Sequence, residues 1–269
     1  MTWGVQSPTF RKAKGDQHNG ECMAKINGAV FYRGVSRIDG KTSVVGIITG
    51  LAGKGSKNSK TGAMVQTWIL RDDVTPMDAV IRWDDVGICG GCIHRRQANG
   101  KRSCYVNVAR GPHAIYGAFQ RGRYPIMTPD EVAVLLTGRK VRLGAYGDPT
   151  AIPLDVWTSL VRHTAGHTGY THNWRNGENA GYAELCQASC ETWTDVERAT
   201  AKGFGSFYVV PKGTTLPTGA IHCPASAEAG KKLQCEDCLL CDGAHQMIVV
   251  IHAHGQQAKN YNPRVLPVL

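Results

Sequence analysis

Seven of the chain's ten cysteines fall into two groups: Cys89-Gly-Gly-Cys92 with Cys104, and Cys223 with Cys235, Cys238 and Cys241. Thiols spaced by two residues turn their sulfurs toward one centre, and thiolates are soft ligands that suit tetrahedral zinc or iron–sulfur clusters. The opening segment, MTWGVQSPTFRKAKGDQHNGE, is polar and lacks the apolar stretch of a secretory signal. The chain therefore reads as cytoplasmic. In that compartment thiols stay reduced, and close cysteine spacing means metal or catalysis rather than disulfides. No apolar run approaches the roughly 18 residues of a membrane span, so no membrane partner is expected.

The later group supplies four thiolates, enough to close a site without help, which leaves His245 as an ordinary loop histidine. The earlier group supplies three, with eleven residues between Cys92 and Cys104. Its fourth position falls to His94, to Cys22, or to a ligand that is not protein. A cubane held by three thiolates leaves one iron open to substrate or cofactor, whereas a Cys3His zinc site satisfies the same ligand count. Gly90 and Gly91 allow the backbone to curl tightly between the first two thiols. Cys186 and Cys190 share one face of a strand end and read as small buried hydrophobes.

Patterning between these groups predicts an α/β protein. Residues 1–28 read as a polar arm, and Ala29 to Gly50 as two strands turned at Asp39-Gly40. MVQTWIL reads as a strand and Pro76 to Trp83 as a short helix. From Cys89 onward strands alternate with helices: HAIYGAFQRG, TPDEVAVLLTG, IPLDVWTSLVRH and ETWTDVERATAKG are helical, while VRLGAYG, HTGYTHNW, AELCQASC, FGSFYVV, GAIHC and HQMIVVIHAHG are strands. Such alternation predicts a mainly parallel sheet, as a complete or partial (β/α) barrel or else an open doubly wound sheet. The expected division is an arm and hairpin over 1–60 and a barrel-like domain over 61–269.

Lys and Arg outnumber Asp and Glu by 31 to 21, a formal charge of +10. That balance favours a polyanionic partner, nucleic acid or a nucleotide first. The basic residues are bunched at Lys54, Lys57 and Lys60, at Arg95, Arg96, Lys101 and Arg102, and at Arg121, Arg123, Arg139, Lys140 and Arg142. Functional groups of parallel sheets gather at the carboxyl ends of strands. There Asp148, in Gly147-Asp148-Pro149, is a candidate acid/base or ribose-orienting group as well as a turn former. Tyr170, Thr171, His172 and Trp174 offer aromatic surface and a titratable imidazole, and His252 and His254 alternate on the last strand. No P-loop, nucleophile elbow, HExxH, deaminase signature or GxGxxG is present.

Taken in order, KTGAMVQTWIL, CGGC, SCYVNV, VRLGAYGDP, GYTHNW and the late CxxCxxC resemble phage-encoded radical-SAM-like barrel proteins over about Lys60 to Gly255. The resemblance implies a [4Fe-4S] cluster on Cys89, Cys92 and Cys104 whose open iron chelates S-adenosylmethionine. It also implies an auxiliary cluster on the later cysteines, with the Gly147-Asp148 strand end and the Tyr170-Thr171 strand as barrel elements, in a family of largely unassigned role. The basic charge adds nucleic acid or nucleotide modification as the activity, and strand-end position makes Asp148, Tyr170 and His172 the catalytic candidates. The spacing here, CxxC with a distant third cysteine, differs from the CxxxCxxC usual in that family. Two other arrangements stay open: a zinc-stabilised nucleic-acid-binding or host-takeover protein without catalysis, and a TGT-like base-exchange enzyme with Asp148 as nucleophile and zinc at the later cysteines.

Overall fold

A computed structural model of the chain describes residues 26–53, 58–230 and 233–263. The polar arm up to residue 25, Cys22, Lys54 and Lys57 lie outside the described residues. The hairpin forms as expected. Strands β1 (Gly28–Val35) and β2 (Ser43–Thr49) are antiparallel, from Gly28 opposite Thr49 to Val35 opposite Ser43. The Asp39 carboxylate makes the turn by accepting from the Lys41 and Thr42 amides and the Thr42 hydroxyl, and Gly40 takes a left-handed φ of 66°.

The hairpin is not an appendage, however. β2 also pairs along β3 (Val65–Arg71), which runs parallel to β4 (Lys140–Tyr146), which in turn pairs with β5 (Gly166–Thr168). This first sheet is mixed, in the order β1-β2-β3-β4-β5. The second sheet is wholly parallel: β6 (Tyr170–Thr171), β7 (Gln187–Cys190), β8 (Ser206–Val210), β9 (Ala220–His222) and β10 (Ile248–His252), in the order β6-β7-β8-β10-β9.

Only Gly169 separates β5 from β6. Its amide donates to the Cys241 carbonyl instead of to a strand, and a Cβ there would sit 2.7 Å from Cys186 Sγ and the Leu185 carbonyl. One extended segment thus passes from the first sheet to the second at a point with no room for a side chain. Neither sheet closes on itself among the described residues, so the expected complete barrel does not form; the mixed α/β class does.

Helices α1 (Pro76–Arg82), α2 (Val86–Cys89), α3 (Gly111–Gln120), α4 (Pro129–Leu135), α5 (Leu154–Val161), α6 (Trp193–Ala201) and α7 (Cys235–Cys238) fill the connections. Their starts are written in the sequence. Thr75 caps α1, Thr192 caps α6, and Thr128 with Glu131 makes a reciprocal capping box on α4. The segment AELCQASC is a strand only from Gln187. Its first residues end a 3-10 helix, Gly177–Glu184, which Asn176 caps and the buried Tyr182 anchors. One apolar core joins both sheets, from Phe31 and Trp157, whose rings lie 5.3 Å apart, to Ala188 and Phe204. No helix among the described residues is long and apolar enough to cross a membrane.

Candidate metal centres and cleft

Parallel strands deliver their carboxyl ends to one edge, and the chain places Asp148, His172 and Glu191 directly after β4, β6 and β7. The first cysteine group is brought to this same edge by the loop that follows α2. Gly90 has φ 55° and ψ −136°, a region closed to residues with a Cβ, and a Cβ there would meet Asn173 Oδ1 at 2.1 Å. The Gly91 amide donates to that same oxygen at 3.2 Å. Gly90 therefore lets the loop dock on the residue after His172.

Arg95 clamps the loop from beneath. It forms a buried ion pair with Asp85 at 2.7 Å and donates to the Gly90 and Trp83 carbonyls. At the far end the Cys104 amide donates to the His94 carbonyl at 3.0 Å. Burial pushes the Cys89 and Cys104 thiols up; Asp85, then Cys92 and Cys104, push Cys89 further, and Cys92 pushes Cys104, which Arg102 pulls back by its charge and a hydrogen bond. Arg102 Nε and Tyr146 Oη, both within the field of Cys89 and Cys104, are buried without a hydrogen-bond partner. Three clustered thiols with two orphaned donors fit a group that carries negative charge and accepts hydrogen bonds, as the sulfides of an iron–sulfur cluster do.

His94 does not turn to these thiols. Its Nδ1 lies 2.9 Å from Ser103 Oγ, its ring stacks on Tyr261 at 5.3 Å, and its Nε2 is 3.9 Å from Glu191 Oε1. His172 Nε2 lies 2.9 Å from the same Glu191 oxygen and 3.6 Å from Cys92 Sγ. Among the described residues, His94, His172 and Glu191 are the group of potential ligands whose donor atoms all come within 4.8 Å of one another. Burial, then the charge of His172, pushes His94 down to about 4. Burial opposes the ionisation of Glu191, but His172, His94 and Arg175 hold its carboxyl below the usual range. Burial likewise opposes the charge on His172, yet Cys92 and Glu191 hold it well above an ordinary histidine.

Sequence reasoning missed Glu191. The carboxyl-end rule that singled out Asp148 after β4 applies equally to Cys190-Glu191 after β7, and would have found it.

Asp148 itself is an organiser. Its Oδ1 accepts from the Thr150 amide, the Thr150 hydroxyl and the Thr171 hydroxyl, and its Oδ2 accepts from the His172 amide. A carboxylate so filled, and 6% exposed, shapes the turn and fixes the backbone of His172 rather than meeting a substrate. Trp174 is likewise buried, its indole N–H donating to the Ser189 carbonyl, so it offers no stacking surface. Tyr170 faces the other cysteine group.

That second group lines one small cleft. Cys223 follows β9, Cys235 and Cys238 sit on α7, Cys241 follows it, and Thr168 and Tyr170 complete the wall. The Cys235 amide donates to the Lys60 carbonyl, and Tyr170 hydrogen-bonds to Cys241. Arg142 stands between the two groups: it donates to the Tyr105 hydroxyl and lies 5.9 Å from both the Tyr105 and Tyr170 ring centres, while its Nε is buried and unpaired. His252 and His254 do not share a strand face. β10 ends at His252, which meets His222 edge-on, while His254 lies beyond it and stacks on Tyr105. Cys186 and Cys190 are fully buried, Cys190 pushed up to about 12 by burial first. His245 bonds Asp242 at 2.8 Å in an exposed loop.

The bunched basic residues divide. Arg95 and Arg142 are buried, and Arg139 donates to the Gly50, Leu51 and Gly53 carbonyls, so they serve the fold. Lys101, Arg121 and Arg123 are exposed. Arg102 belongs to the thiol group, and three arginines outside the bunches, Arg37, Arg175 and Arg198, line a cleft of about 750 Å³ with His172, Asn173, Glu191 and Asp195. That volume is in the range of small-molecule sites. No family model, curated protein or solved structure matches this chain.

Proposed function

We propose that this chain is an iron–sulfur enzyme, radical-SAM-like in arrangement, that acts on an anionic nucleotide or nucleic-acid substrate. One juxtaposition carries the proposal: the loop bearing Cys89, Cys92 and Cys104 is docked at the carboxyl edge of the parallel strands, beside the arginine-lined cleft. Ligands of open α/β sheets bind at that edge. The strands from β3 to β10, continuous through Gly169, would then be the wall of a partial (β/α) barrel.

Cys89, Cys92 and Cys104 would hold the cluster, with Arg102 and Tyr146 donating to it. His94 is committed to Ser103 and Glu191, which supports a fourth position left to a non-protein ligand. A [4Fe-4S] cluster there supplies one-electron chemistry to whatever occupies its open iron. Arg37 and Arg198 would meet the substrate's phosphates at the cleft, where Arg175 is already paired with Asp195 and Glu191.

Anaerobically purified protein is expected to be brown and to contain iron and acid-labile sulfide in equal amounts, with a large share of both lost in C89A and C104A. Colourless protein holding only zinc would refute the proposal.

A further inference from the structure

We infer that His94, His172 and Glu191 form a second, mononuclear site for a divalent transition metal, separate from the thiol-held cluster and opening on the arginine-lined cleft. The inference does not rest on the iron–sulfur proposal, since none of the three ligands is a thiol of that group.

The donor atoms are already at the right spacing. His172 Nε2 and His94 Nε2 lie 2.9 and 3.9 Å from Glu191 Oε1, and all three atoms fall within 4.8 Å of one another. Ligands held at about 2.1 Å from a tetrahedral ion stand about 3.4 Å apart, between the two values observed. The residues come from three separate elements: the cysteine loop, the end of β6 and the end of β7. Nothing in local sequence brings them together; only the fold does.

The outer contacts are those of a ligand set. Metal-bound histidines hand their other ring N–H to a fixed acceptor, and His94 Nδ1 is 2.9 Å from Ser103 Oγ, which leaves Nε2 as the free lone pair. Tyr261 stacks on the ring and fixes its plane. Asp148 Oδ2 holds the His172 backbone amide at 2.8 Å, and Arg175 reaches the other oxygen of Glu191 at 3.4 Å. Glu191 is 4% exposed; Arg175 takes its Oε2, which leaves Oε1, shared with His172 and His94, as the oxygen turned toward the ion.

Two histidines and one carboxylate leave coordination positions free, and such sets hold zinc or iron(II) in sites that bind or activate a further ligand. The free side faces a cleft lined by Arg37, Arg175 and Arg198 together with Asp195, which pairs with Arg175 at 2.9 Å. The ligand class is an oxygen-bearing anion, such as a phosphate or carboxylate, able to meet the ion and the Arg37 and Arg198 guanidinium groups together.

Equilibrium dialysis of the full chain against Co²⁺, read by elemental analysis, tests this directly. Wild-type protein is expected to hold one more cobalt than E191Q or H94Q, whose affinity at this site should fall by roughly 100-fold or more. Both variants should keep the iron and sulfide of wild type, and C104A should lose iron yet keep the additional cobalt. Equal cobalt in wild type, E191Q and H94Q would overturn the inference, as would loss of that cobalt in C104A. A wild-type protein without iron would refute the cluster and leave this test intact.

Discussion

Cys92 Sγ stands 3.6 Å from His172 Nε2, although eighty residues separate them in sequence. That contact ties the cysteine loop to the end of β6, and both partners are held from behind. Arg95 and the Gly90 turn set the thiol, while Asp148 sets the histidine. The thiol group and the His–His–Glu group therefore share one wall, and disturbing the docking of the loop should affect both.

Gly90 is the most economical place to disturb it. G90A puts a Cβ into Asn173 Oδ1 and forces a disallowed backbone region, a strain of about 1–3 kcal/mol. Iron bound by anaerobically prepared G90A should fall about as far as in C89A. Iron retained at the wild-type level would show that the loop can dock otherwise.

D148N tests whether Asp148 organises or reacts. The amide keeps the shape but turns its NH₂ against donors that now face a carboxylate oxygen. The expected loss is about 2–3 kcal/mol in denaturant unfolding, the cost of a disrupted buried, charge-assisted network. Unchanged stability with abolished turnover would point instead to a nucleophile, as base exchange requires.

His167 gives a pH signature beside the second cysteine group, where its ring bonds the carbonyl of Asp242, the residue after Cys241. Burial pushes it down, against a weaker opposing pull from the Asp242 carbonyl, so it stays neutral in the folded state. The unfolded chain takes up that proton near the ordinary histidine value of about 6.5. Below it the unfolded state binds more protons, so stability falls as pH drops from about 6.5 toward the folded value. H167N should show a shallower acid-side decline in chemical unfolding, and parallel curves would contradict this.

The capping box of α4 is a local control. T128A should cost about 1 kcal/mol in unfolding free energy and leave iron content untouched, since α4 touches neither cysteine group. Loss of iron in T128A would mean that the site depends on the fold more globally than the contacts indicate.

Much of the fold was legible because its signals are local. Thr75, Thr128 and Thr192 mark helix starts by hydrogen bonds three residues on, and Asp39-Gly40 marks the hairpin turn in the same way. What sequence could not give is convergence. Glu191 carries no motif, and His94 stood beside Cys22 and a non-protein ligand as one of three open choices for the fourth position at the thiols. In the fold the Ser103 hydroxyl and the Tyr261 ring turn it the other way. Arg95 and Arg142 looked like surface charge for the same reason: their partners, Asp85 and Tyr105, come from other segments. Trp174 and Tyr170 follow one strand end but go to different places, one into the core and one to the second cysteine cleft.

The central claim is that Cys89, Cys92 and Cys104 hold a cluster with a position left for a ligand that is not protein. Electron paramagnetic resonance of the reduced, anaerobically purified protein tests it, recorded with and without S-adenosylmethionine. The account predicts a cluster signal whose g-values shift when the ligand is added, and no such shift in C104A. A signal that is indifferent to the ligand in wild type, or no cluster signal at all, would contradict it.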